Sequence, residues 1–154
     1  MKSVKNGSKI EVDYEGKVKD GQMFDTSKED IARENNIYQK QKEYSPMKVI
    51  VGETPLIKGF TDALIGMREN EEKEITIEPK DGYGDKNPQF LVNVPKENFK
   101  GLSPKKEQLV VMEIKGQQRP ARVKEIKEDK IKLDFNHPLA GRTLVFKLKI
   151  VKIN

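Results

Sequence analysis

Apolar and polar positions along this chain fall into short alternating runs, with one helical stripe among them. In "KIEVDYEGKVKDGQMFDTS" apolar Ile10, Val12 and Tyr14 alternate with charged Glu11, Asp13 and Glu15. A period of two predicts a strand with one buried face, and Asp20-Gly21 returns it into a second strand from Gln22 to Asp25 as a tight hairpin. Ser27, with Asp30 three positions on, reads as a helix N-terminus, so "SKEDIARENN" is expected as a short helix and "IYQKQKEYSP" as an exposed polar connection. "PMKVIVGE" is the next strand. Thr54-Pro55 then reads as the cap of a helix over "LIKGFTDALIGM", where Leu56, Phe60, Ala63, Leu64 and Met67 recur at helical spacing until Gly66 and "RENEE" stop it.

"EKEITIEP" alternates again about Ile75 and Ile77, and the turn-rich loop "KDGYGDKNP" follows. From Phe90 a fresh series begins: "FLVNVP", "QLVVMEI", "PARVKEI" and "KIKLDF", each short and β-like, with charged or turn-rich links between them. These strands are expected to form a small satellite unit. The final run "TLVFKLKIVKI" sets Leu144, Phe146, Leu148 and Ile150 against Lys147 and Lys149, the signature of a long strand with one buried face. The class is therefore α+β, rich in strands, with one principal helix and two lobes.

Composition narrows the chemistry. With 154 residues the chain can bury a sizeable core, and although 36% of residues are charged and only 34% hydrophobic, the charges are interspersed as in a folded, heavily solvated protein rather than blocked as in a disordered tail. A net charge of +5 permits nucleic acid as a partner, but no Lys/Arg cluster with interleaved aromatics supports one, and none is expected. The absence of cysteine excludes disulfides, thiolate catalysis and Cys-type zinc sites. With no apolar leader and no run of ~18 apolar residues, the expectation is a cytoplasmic protein without a membrane partner.

Phosphate-loop, dinucleotide, zincin, calcium-loop and esterase motifs are all missing from the sequence. "DGYGDKN" lacks the alternate ligands and terminal Glu of a calcium loop and reads as a turn, so no metal and no cofactor are expected. The single histidine, His137, precedes a proline without a triad partner motif and reads as a turn residue that hydrogen-bonds locally. What remains is a set of aromatic and aliphatic residues at strand and loop ends. From periodicity alone these could be interior packing or a binding surface, and the residues by themselves leave both open.

Taken in order, "VDYEGKVKDGQMFDTS", "VIVGETPLIKGFTDALIGM", "DGYG" and "NHPLAGRTLVFKLKIV" resemble the FKBP family of peptidyl-prolyl isomerases, whose pattern runs from a Tyr in the first strand through "G-x-x-F-D-x-S", "V-G-x-x-x-x-I-x-G", "Y-G" and "L-x-F". The segment between "YG" and "NHPLAG" makes the chain most similar to the SlyD-like branch and its short archaeal members. The resemblance implies an antiparallel twisted sheet wrapped around one helix. It also implies a discontinuous isomerase domain, residues 1–84 and 137–154, interrupted at 85–136 by an insert-in-flap (IF) chaperone domain, with His137 at the second crossing. The activity implied is isomerisation of X-Pro bonds in folding polypeptides, with capture of unfolded chains by the insert; a non-catalytic holdase on the same scaffold is the alternative.

The implied site comprises Tyr14, Phe24, Asp25, Met47, Leu56, Ile57, Phe60, Tyr83, Leu139 and Phe146. Met47 stands where many members carry an aromatic and Phe60 where many carry Trp, so only weak binding of FK506-like macrolides is implied. Leu91, Val92, Val110 and Met112 are the implied client contacts of the insert. The partners expected are unfolded or partly folded chains containing X-Pro bonds, met by a monomer. With "KIVKIN" as its last residues, the chain is not expected to share the metal-binding tail of some bacterial SlyD proteins.

Overall fold

The alternation at Ile10, Val12 and Tyr14 becomes strand β1 (Lys9–Val18), and the turn at Asp20, whose φ of 58° lies in the left-handed region, returns it to β2 (Met23–Thr26) in the computed structural model, which describes residues 2–154. The remaining elements are α1 (Glu29–Glu34), β3 (Met47–Ile50), α2 (Lys58–Leu64), β4 (Glu72–Ile77), β5 (Leu91–Pro95), β6 (Leu109–Ile114), β7 (Gln117–Ile126), β8 (Lys130–Asp134) and β9 (Leu144–Ile153). The chain divides into two compact units, Met1–Gly84 with Gly141–Asn154, and Asp85–Ala140. No helix among the described residues is long and apolar enough to cross a membrane.

In the first unit β9 lies between β1 and β4, antiparallel to both. Its register against β1 runs from Ile10↔Ile153 to Val18↔Leu144, with a bulge at Glu11/Val12. The other edge of β1 is divided: residues Lys9 to Val12 pair with β3, and Glu15 to Lys17 pair with β2. Ile10, Val12, Leu144, Leu148 and Ile150 are buried to 1% exposure or less, which is the inward face that the alternating pattern specifies. Helix α2 lays Phe60 and Leu64 onto this face. Gly59 permits the close approach, since a Cβ there would stand 2.7 Å from the Ile77 side chain.

The helices are shorter than their sequence patterns, and both expected caps are replaced. Ser27 is buried but does not cap α1. Its hydroxyl donates to Asp13 Oδ1 at 2.8 Å and accepts the Tyr14 N–H at 3.0 Å, so it ties the hairpin to the helix that follows. Thr54 likewise accepts the Ile50 N–H at 2.9 Å and closes the turn after β3, while α2 opens at Ile57 without a side-chain cap. Leu56 precedes the helix, and Met67, only 1% exposed, extends the apolar stripe from beyond it, because Ile65 is extended and Gly66 takes φ +89°.

The second unit is a four-stranded antiparallel sheet in the order β5-β8-β7-β6. Phe99, Ala121, Val123, Ile131 and Leu133 form its core, with Val94, Val110, Met112 and Phe135 packed against them. Its limits differ from the sequence expectation at one end. Residues 137–140 group with this unit instead of with the C-terminal strand; they form a turn in which Ala140 N–H donates to the His137 carbonyl at 2.9 Å and Leu139 N–H to His137 Nδ1 at 3.0 Å. The histidine is thus a locally bonded turn residue. The return to the first unit follows at once, where Gly141 N–H donates to the Gly84 carbonyl at 2.6 Å.

Each unit has its own core, so damage to one should stay there. Leu133, 0% exposed, is expected on truncation to alanine to destabilise the second unit by about 2–5 kcal/mol. In native-state hydrogen exchange, β7 and β8 amides should lose protection while those of β1 and β9 keep it; equal loss in both would show a single cooperative core.

Candidate active site

The hairpin, the β3–α2 corner, the loop after β4 and the middle of β9 surround a cleft of about 400 Å³ in the first unit, lined by Tyr14, Phe24, Asp25, Met47, Pro55, Leu56, Ile57, Phe60, Tyr83 and Phe146. Tyr14, Phe24, Asp25, Met47, Leu56, Ile57, Phe60, Tyr83 and Phe146, the residues of this unit expected from the sequence, all line it, while Leu139 belongs to the second unit. Pro55 joins the lining. It is expected from the sequence as part of a helix cap, but α2 opens at Ile57 without a side-chain cap and Pro55 lines the cleft.

The floor is built from aromatic rings meeting edge to face. Phe60 meets Phe146 at 5.2 Å between centroids and 88°, Phe146 meets Phe24 at 5.6 Å and 88°, and Tyr14 meets Phe60 at 6.1 Å and 81°. Such pairs add about 0.5–1.5 kcal/mol each beyond their buried area and fix ring orientation, which gives the cleft a preformed apolar shape. Gly16 makes this possible. It is paired with Phe146 across β1 and β9, and a Cβ on it would stand 2.6 Å from the Phe146 ring and 3.0 Å from that of Phe24.

One edge of the cleft is polar. The Tyr14 hydroxyl donates to Asp25 Oδ2 at 3.0 Å and the Thr26 N–H donates to Asp25 Oδ1 at 2.9 Å. A residue that no sequence pattern singled out completes this cluster: Lys42, from the connection between α1 and β3, forms an ion pair with Asp25 Oδ1. Its ammonium also donates to the Thr26 carbonyl at 3.0 Å and the Tyr14 hydroxyl at 3.4 Å. Burial, followed by the charge of Asp25, raises the Tyr14 phenol above its ordinary pKa of 10.0, with Lys42 working in the opposite sense. Burial disfavours the charged form of Lys42, but its bond to Asp25 and the neighbouring Tyr14 outweigh this and hold its pKa above 10.5.

The second unit carries an apolar cleft of its own, about 580 Å³, along β6 and the segment from Asn98 to Pro104. Val110 and Met112, expected as contacts, are among its lining residues. In β6, Val110 and Met112 lean on the core, whereas Leu109 and Val111 alternate outward at 58% and 62% exposure, beside Leu102 at 75%. Leu91 and Val92 of β5 are exposed as expected, at 38% and 40%.

Substituting Gly16 by alanine should push Phe146 and Phe24 off their seats and lower stability by about 1–3 kcal/mol, the range for overpacking a filled core. Denaturant unfolding measures this, and an unchanged midpoint would mean that the rings have room to move.

Comparison with known proteins identifies the family. The family model described as FKBP-type peptidyl-prolyl cis-trans isomerase matches residues 1–151. A short-type peptidyl-prolyl cis-trans isomerase of Methanocaldococcus jannaschii is 40% identical over 147 residues, which cover 96% of this chain and 92% of the relative. A probable FKBP-type 16 kDa isomerase of Pseudomonas fluorescens is 31% identical over 71% of this chain and 73% of its own length. A SlyD isomerase of Helicobacter pylori is 32% identical over 69% of this chain and 58% of its own length.

Proposed function

Since the chain belongs to the FKBP-type peptidyl-prolyl cis-trans isomerase family and is accordingly an isomerase of X-Pro bonds in polypeptides, we propose that it works by desolvating the prolyl amide in the aromatic cleft, and that the second unit captures unfolded clients. The observation that carries the mechanism is a preformed apolar floor of Phe24, Phe60 and Phe146 with its single carboxylate already paired.

Rotation about X-Pro is slow because amide resonance resists it, a barrier of roughly 18–20 kcal/mol. In the planar ground state the amide is strongly polar; in the twisted state the C–N bond has lost double-bond character and the carbonyl part of its dipole. An apolar, water-poor cleft therefore disfavours the ground state more than the twisted one, and that difference is catalysis. No bond is made or broken and no proton moves. Phe24, Phe60 and Phe146 hold the prolyl ring, with Met47 and Leu56 on the walls. Ile57, which opens α2, offers its backbone N–H to a substrate carbonyl, and Tyr83 orients another. Asp25 braces Tyr14 and faces the rotating carbonyl. With Met47 and Phe60 in place of larger aromatics, macrolides of the FK506 type bind weakly.

Capture by the second unit draws on its outward apolar residues, Leu91, Val92, Leu102, Leu109 and Val111, with Val110 and Met112 beneath them. Residues 85–140 then act as a chaperone insert that holds a chain while its prolines visit the cleft.

Exchange NMR on a short X-Pro peptide tests the cleft: native protein should accelerate interconversion and Phe146→Leu should lose at least about tenfold, while His137→Ala stays near native. If native and Phe146→Leu are alike, the cleft is not the site. The insert is tested by deletion of residues 85–140, with Gly84 and Gly141 joined by a short linker since their backbones are already hydrogen-bonded. Peptide turnover should survive and catalysis of a proline-limited refolding reaction should fall; equal loss in both would overturn the division of labour.

A further inference from the structure

Lys42 sits in a connection without helix or strand, yet its position is fixed from several sides. Tyr44 stacks on Tyr38 at 5.7 Å and 16°, and the Arg33 guanidinium lies 3.8 Å from the Tyr38 ring centre, so that α1 anchors the connection. The Tyr44 hydroxyl accepts the Gln39 N–H at 3.0 Å, which closes the loop on itself. The Lys42 ammonium stands 5.3 Å from the Tyr44 ring and 5.7 Å from the Tyr14 ring, and its side chain is 27% exposed. An ordinary surface ion pair swings freely and contributes little. This ammonium instead donates to a carboxylate, a backbone carbonyl and a phenol, two of which belong to side chains lining the cleft.

Building on the isomerase reading, we propose that Lys42 is a positioning and specificity residue of the cleft: it locks Asp25 and Tyr14 in place and cancels the carboxylate's charge, so that the site does not select substrates by the charge of the residue before proline. Among the described residues Asp25 is the only acidic one of the cleft lining, and no basic one lines it. Without Lys42, a bare carboxylate at the cleft edge attracts a cationic residue of the substrate and repels an anionic one, an effect that salt screens.

The test compares native protein with Lys42→Met, which keeps the length and removes the charge, and Lys42→Arg, which restores it. The ratio of kcat/KM for a Lys-Pro peptide to that for a Glu-Pro peptide should be near unity in the native protein and rise about three- to tenfold in Lys42→Met at low salt. High salt should shrink the rise and Lys42→Arg should abolish it. A readout independent of turnover is the Tyr14 phenol, followed by ultraviolet titration and assigned with Tyr14→Phe; in Lys42→Met its pKa should move further up, because the cation that favours phenolate is gone. An unchanged peptide ratio together with an unchanged Tyr14 titration would overturn the proposal. A shifted titration with an unchanged ratio would overturn its specificity half and keep the positioning half. Absence of turnover by the native protein would count against the isomerase mechanism instead, and the titration would still decide whether Lys42 holds Tyr14.

Discussion

The pairing of β1 with β9 is the constraint on which the rest of the first unit depends. It joins segments more than 120 residues apart in sequence, with Ile10 opposite Ile153 and Gly16 opposite Phe146, and the chain must close around the whole second unit before any of its bonds can form. Closing so long a loop costs only slightly more than closing a short one, since the entropic penalty grows with the logarithm of loop length. The register does the rest. One residue of slip would turn Leu144, Phe146, Leu148 and Ile150 from the core to the solvent face. With the register fixed, Phe146 falls above Gly16, the one position of β1 that can accept its ring.

From that contact the cleft follows. Phe146 orients Phe60 and Phe24 edge to face, Phe60 orients Tyr14, and Tyr14 reaches Asp25. The apolar floor and the polar edge are thus one connected packing unit. The polar edge is held by hydrogen bonds whose partners are themselves anchored: Thr26 by its hydroxyl to the Tyr14 carbonyl at 2.9 Å, Ser27 to Asp13. On the proposed desolvation mechanism such a connected floor matters, because a floor that breathes would readmit solvent.

Much of this was legible in the sequence, and the exceptions have physical causes. Strict alternation located β1, β4 and β9 because one face of each is buried and the other wet. The caps misled because Ser27 and Thr54 are the right residue types for capping but spend their hydroxyls on Asp13, Tyr14 and Ile50, partners that local sequence does not reveal. In β6 the run "LVVM" offers apolar residues to both faces, so which of Leu109, Val110, Val111 and Met112 face outward could not be read from it; only the pairing with β7 decides. Lys42 was illegible for a deeper reason. One lysine among many in a charged connection carries no pattern, and its role comes from the fold that brings the connection against the hairpin. The family blocks, by contrast, carried the cleft residues directly, Leu139 excepted.

On the proposed mechanism a rotation, rather than a proton transfer, limits catalysis in a water-poor cleft. The pH dependence of kcat/KM on a short X-Pro peptide, measured from about pH 5.5 to 9 in H₂O and D₂O, tests it most directly. A profile flat across the range, with an isotope ratio near unity, is the result expected, since the two groups of the site with displaced pKa values, Tyr14 and Lys42, are displaced upward from 10.0 and 10.5. A bell-shaped profile or a substantial isotope effect would contradict it and assign the chemistry to a general acid or base.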